Sequence, residues 1–174
     1  MKTQINHLLA LTLCAFGLAN AFPTAEEYPE VIPGPGLPSL ASLNLTSAEL
    51  YQRVPSPDIV KRLERRFNLI CNQVPQCSVS DATACFNFLN ALGHQACTVP
   101  DPFLSNILFC TAGGCNWGGT NFKEGGGLVS SFCSDVATGG AAVVFGCSQS
   151  NGLVSGSNAA NGNGDLVVTI TSQS

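Results

Sequence analysis

Eight cysteines fall between Cys71 and Cys147: Cys71, Cys77, Cys85, Cys97, Cys110, Cys115, Cys133 and Cys147. An even set this dense cannot all stay free in an oxidising compartment, so the stretch reads as a disulfide framework. Zinc is the competing use of such residues. CxxC pairs are absent, however, and His94 is the only histidine after residue 7. Eight cysteines allow 105 pairings, and spacing does not choose among them.

The ninth cysteine, Cys14, lies in "MKTQINHLLALTLCAFGLANA", which has a cationic start, an apolar run from Leu8 to Leu18 and a small-x-small close at Ala19-Asn20-Ala21. This is the pattern of a cleaved secretory signal ending at Ala21. The apolar run is shorter than the about 20 residues that span a bilayer. The expected product is therefore secreted and extracellular, without membrane insertion.

Residues 22–66 hold seven of the ten prolines and no cysteine. That composition predicts a largely disordered leader, since proline breaks both helices and sheet ladders. A short helix is expected from Ser56-Pro57-Asp58. Asn44-Leu45-Thr46 is the one Asn-x-Ser/Thr acceptor, placing a glycan at Asn44. The leader ends in "VKRLERR", whose Lys61-Arg62 and Arg65-Arg66 are two dibasic sites. Cleavage after Arg62 or Arg66 by a kexin-type protease would free a domain spanning 67–174.

That domain carries one cation, Lys123, against Asp81, Asp101, Glu124, Asp135 and Asp165. An acidic surface repels polyanions, which excludes nucleic acid as a partner. Its segments read as follows. "FNLIC" is a strand, and "SVSDATACFNFLNALGHQA" is a helix capped by Ser78 or Ser80 and closed by Gly93. "ACTV" and "NILFCTA" are strands, and "GGCNWGGTN" is a turn-rich loop. "GLVSSFCSDVATGGAAVVFGC" is one long helix running through Gly139-Gly140, with Phe132 in its apolar stripe; the Asn-Gly pairs at Asn151, Asn161 and Asn163 are tight-turn formers, and "DLVVTIT" is a strand. The order predicts an α+β fold: a split β-α-β two-layer sandwich, disulfide-rich, with two helices on one face of an antiparallel sheet.

No Gly-x-Ser-x-Gly elbow occurs, and past Arg66 there is no arginine to hold a phosphate. Asp81, Asp101, Glu124 and Asp135 are the carboxylates a glycosidase could pair. "EGGGL" lacks both the dinucleotide spacing and the Walker lysine. His94, following Gly93, suits a helix end. Trp117, flanked by glycines, is the candidate binding surface, able to stack on a sugar or anchor a protein interface. No catalytic, cofactor-binding or metal residue is assigned, so a non-enzymatic role is expected.

"SSFCSDVATGGAAVVFGC" followed by "SGSNAANGNGDLVVTIT" resembles a recurrent pattern in fungal small secreted cysteine-rich, effector-like proteins. The strand-helix order also resembles the killer-toxin-like α/β sandwich. The resemblance implies a monomeric, virulence-associated protein that binds a host or competitor protein or a cell-wall glycan. An antimicrobial or killer-toxin-like activity, and a small carbohydrate-binding or carbohydrate-active role, are the alternatives it leaves open.

Overall fold

The computed structural model describes residues 27–55 and 69–173. The signal with Ala21, the expected helix at Ser56-Pro57-Asp58 and the dibasic residues Arg62 and Arg66 lie outside them.

Ten strands and three α-helices are described. The strands are β1 (Val31–Pro33), β2 (Ile70–Cys71), β3 (Cys77–Ser78), β4 (Ala96–Val99), β5 (Asn106–Ala112), β6 (Cys115–Asn121), β7 (Val129–Phe132), β8 (Leu153–Val154), β9 (Gly156–Ala160) and β10 (Asn163–Ser172). The helices are α1 (Ser47–Gln52), α2 (Val79–Ala91) and α3 (Cys133–Cys147). Six strands form one antiparallel sheet in the order β1-β5-β6-β10-β9-β2, and the pairs β3-β8 and β4-β7 stand beside it. Helices α2 and α3 pack against each other and against one face of the large sheet. The α+β architecture is the expected one.

Helix α2 starts where expected: the Ser78 hydroxyl accepts from the Ser80 amide at 3.1 Å. It ends at Gly93, whose φ of +56° is a conformation that favours glycine. Between them Ala82, Cys85, Phe86, Phe88 and Leu89 are buried. Helix α3 does continue through Gly139 and Gly140, and packing explains why. A β-carbon on Gly139 would land on the Ala159 carbonyl, and one on Gly140 would land on the Trp117 ring. The two glycines let the helix approach β9 and β6 closely.

Three expectations are corrected. Only Gly113-Gly114 of "GGCNWGGTN" form a turn; the rest, Cys115–Asn121, is β6, between β5 and β10 in the sheet. Its residues alternate strictly, with Cys115, Trp117, Gly119 and Asn121 buried toward the helices. Glycine serves here because a β-carbon on Gly119 would meet the Phe109 ring. "VSSF" forms β7 ahead of α3 and not the helix's first turns, because its backbone pairs with β4 from Val99↔Val129 to Ala96↔Phe132.

The third correction concerns the leader. Residues 27–55 are ordered and join the core. Val31 and Leu50 are buried in the core, and Leu37, Leu40, Leu43, Leu45 and Tyr51 pack against that core. Proline is compatible with β1 because that strand is at the sheet edge, with Pro33 at its end opposite Cys110. Helix α1 begins in a complete capping box: the Glu49 amide donates to the Thr46 hydroxyl at 3.2 Å, and the Thr46 amide donates to the Glu49 carboxylate at 2.8 Å. These bonds hold the Glu49 carboxyl below its usual range. Asn44, the glycan acceptor, is exposed in a left-handed conformation at φ +51° just before α1.

The eight cysteines form four disulfides: Cys71–Cys147, Cys77–Cys115, Cys85–Cys110 and Cys97–Cys133. They tie β2 to the end of α3, β3 to β6, α2 to β5 and β4 to the start of α3. Such bonds form and persist in oxidising surroundings.

Candidate functional site

Helix α3 has no side-chain cap. Its first amides are satisfied by the turn leaving α2: the Cys133 amide donates to the Gln95 carbonyl at 2.8 Å and the Ser134 amide to the Gly93 carbonyl at 3.0 Å. The Cys97–Cys133 disulfide clamps the same junction. The turn between β9 and β10 reaches over from the other side. Asn161 donates its amide to the Asp135 carbonyl at 3.0 Å and its side chain to the Asp135 carboxylate at 3.4 Å. The Asn163 side chain donates to the Ser130 carbonyl at 3.0 Å and the Ser131 hydroxyl at 2.8 Å.

Between these two arms lies a groove of about 420 Å³, lined by Ala96, Ser130, Ser131, Phe132, Asp135, Asn161, Gly162 and Asn163. Phe132 is 50% exposed. Its ring centroid lies 4.7 Å from that of His94, tilted by 43°. The histidine expected to serve a helix end instead braces an exposed aromatic face. The groove thus combines an aromatic surface with amide, hydroxyl and carboxylate groups. Its serine hydroxyls are committed, Ser130 to Thr98 at 2.8 Å and Ser131 to Asn163.

Trp117 is not a surface residue. It is fully buried beneath Gly140 of α3, and its indole Nε1 has no hydrogen-bond partner among the described residues. The binding role expected of it is withdrawn: flanking glycines mark close packing here, not a mobile loop.

Asp81, Asp101 and Asp135 are each held by different partners. Asp81 accepts from the Tyr51 hydroxyl at 2.9 Å and the Gly114 amide at 3.0 Å. Asp101 accepts from the Gly127 amide at 2.8 Å. Asp135 belongs to the groove. Burial, followed by the hydrogen bond to Asp81 and that carboxylate's charge, pushes the Tyr51 phenol well above its ordinary value. Among the described residues no three His, Cys, Asp or Glu side chains are placed to hold a metal ion. No helix among them is long and apolar enough to cross a membrane.

The groove's side chains were in view in the sequence but read otherwise. Asn161 and Asn163 looked like turn formers, which Asn161 is, and Phe132 looked like part of a buried stripe. Only the β4-β7 pairing turns Phe132 outward.

Fold and site together define a small disulfide-stapled α+β domain with a polar groove, lined in part by an exposed aromatic ring, at a helix start. The chain belongs to the family described as "Domain of unknown function (DUF8794)", whose model matches residues 66–172. No curated protein and no solved structure matches it.

Proposed function

We propose that this chain is a secreted, effector-like protein that acts by binding a host or competitor molecule, made as a precursor and cut at the dibasic run ending in Arg66. The observation that carries the reading is the groove: an exposed Phe132 ring braced by His94, set beside Asn161, Asn163 and Asp135 on a disulfide-clamped frame. A rigid aromatic face flanked by polar groups supplies contact area at low entropic cost, with directional bonds for selectivity. Capture of target from host or competitor extracts tests it, with Phe132→Ala and Asn161→Ala as matched controls. Targets retained equally by both variants would place recognition elsewhere on the molecule. Intact mass of the secreted protein tests the processing, with a product beginning at Phe67 and lacking eight hydrogens expected.

A second reading, a small carbohydrate-binding protein, draws on the same groove, since sugars stack on aromatic faces and bond to amides and carboxylates. Glycan binding without turnover, lost in Phe132→Ala, would favour it. An antimicrobial or killer-toxin-like role is separated by growth-inhibition assays on fungi and bacteria. The net acidity of residues 67–174 works against membrane lysis.

A further inference from the structure

The family match begins at residue 66, yet residues 27–55 fill part of the core. They occupy two surfaces of the cysteine-rich domain. Strand β1 adds to the free edge of β5 in the register Val31↔Ala112 to Pro33↔Cys110, and the Gly34 amide extends the ladder to the Phe109 carbonyl at 2.8 Å. Helix α1 lies on α2. There the nearly buried Asn87 donates both of its amide bonds to leader carbonyls, Leu50 at 2.7 Å and Arg53 at 2.9 Å. Tyr51 reaches across to Asp81.

This seat is specific. A β-carbon at position 34 would land on the Leu108 carbonyl, so only glycine permits the approach. Two polar side chains of the domain, Asn87 and Asp81, also find partners in the leader. A disordered tail would supply neither the matched strand register nor an acceptor for each Asn87 proton. No cysteine lies between Cys14 and Cys71, so nothing covalent holds the leader except the chain through residues 56–68.

We propose that residues 27–55 are a built-in ligand of the cysteine-rich domain and stay seated on β5 and α2 after the chain is cut. The processed protein is then a two-chain, non-covalent complex. This rests on the cleavage reading given above. One consequence concerns recognition. In the two-chain form the β5 edge and the α2 face are already occupied, and the groove beside Phe132, which residues 27–55 do not line, remains open. A partner that binds by adding a strand to β5 must first displace the leader.

The test uses the oxidised full-length protein digested at micromolar concentration with a dibasic-specific endoprotease. A second form carries an unrelated protease site in place of residues 61–66. Denaturing mass spectrometry reports whether each chain is cut, and native mass spectrometry with size exclusion reports what stays together. The expected result is two pieces under denaturing conditions and one species of their summed mass under native conditions. In Leu50→Ala, truncation of a fully buried leucine is expected to weaken retention by about a hundredfold. An uncut dibasic site would overturn the cleavage reading alone, because the substituted form still tests the seat. A native spectrum of the bare domain from either cut form would overturn the seat. Leader retained with equal strength by Leu50→Ala would overturn the contacts assigned to it.

Discussion

Gly140→Ala tests whether α3 is shaped by helix propensity or by its contact with the sheet. Propensity alone makes alanine better than glycine in a helix interior by about 1 kcal/mol. The structure predicts the opposite sign. The new methyl carbon would fall on the Trp117 ring, 2.5 Å from Cη2 and 2.9 Å from Cε3. Trp117 is fully buried on β6, between β5 and β10, so its ring has no open side to move into. Overpacking of this kind costs about 1–3 kcal/mol. Set against the propensity gain, the net expectation is a loss of about 1 kcal/mol, or roughly 3–5 °C in Tm for a domain of this size. Trp117 is the only tryptophan, so its fluorescence reports unfolding and local environment together. The coupling is the sharper readout. In a Trp117→Leu background the smaller side chain makes room, and Gly140→Ala should become neutral or stabilising. A Tm that rises in the single variant, or a penalty unchanged in the double, would refute the packing argument.

Peptide mapping without reduction should return Cys71–Cys147, Cys77–Cys115, Cys85–Cys110 and Cys97–Cys133 and no other pairing. Replacing Cys85 and Cys110 together by alanine opens a link of sequence separation 25. On the chain-entropy account this costs about 3–4 kcal/mol, read as a lower denaturation midpoint. In an alkaline absorbance titration Tyr51 should ionise well above the ordinary tyrosine value of about 10, a late component that Tyr51→Phe removes. Above about pH 10 the unfolded chain releases a proton that native Tyr51 keeps. The Tyr51–Asp81 contact therefore contributes fully below that pH and fades above it, and the stability of Tyr51→Phe should fall less across the same window. Thr46→Ala, which breaks the capping box, should cost about 1 kcal/mol of stability; an unchanged midpoint would mean α1 contributes little to the fold.

Local chemistry was legible where a residue acts on its own neighbours. Ser78 caps α2 and Gly93 ends it because both roles depend on one backbone conformation and one side chain. "NILFCTA" and "ACTV" read as strands because their apolar, β-branched residues suit a pleat wherever they pair. Legibility failed where the reason for a residue lies far along the chain. Gly118 and Gly119 look like a turn, and only Phe109 and the neighbouring strands explain them. The prolines of residues 27–55 look like disorder, because edge placement against β5 cannot be read from the segment itself. The capping box Thr46 to Glu49, a local helix signal in that segment, went unread beside the prolines. The groove was invisible as a site because Phe132, Asn161 and Asn163 meet only through the β4-β7 pairing and the β9–β10 turn.

The position of β10 in the sheet sets the order in which the molecule can be completed. This strand follows β6 and β9 in the chain, yet it lies between them. Until it arrives, the sheet exists as two unjoined halves, each with an open edge. All eight cysteines precede it, so every thiol emerges from synthesis before the strand that brings the two halves into register. None of the four disulfides joins one half to the other, so within the sheet the junction between the halves rests on the backbone ladders of β10 alone. Loss of residues 163–172 would leave β6 and β9 as open edges in a chain whose cysteines can still pair, and association through those edges is the expected fate of such a chain.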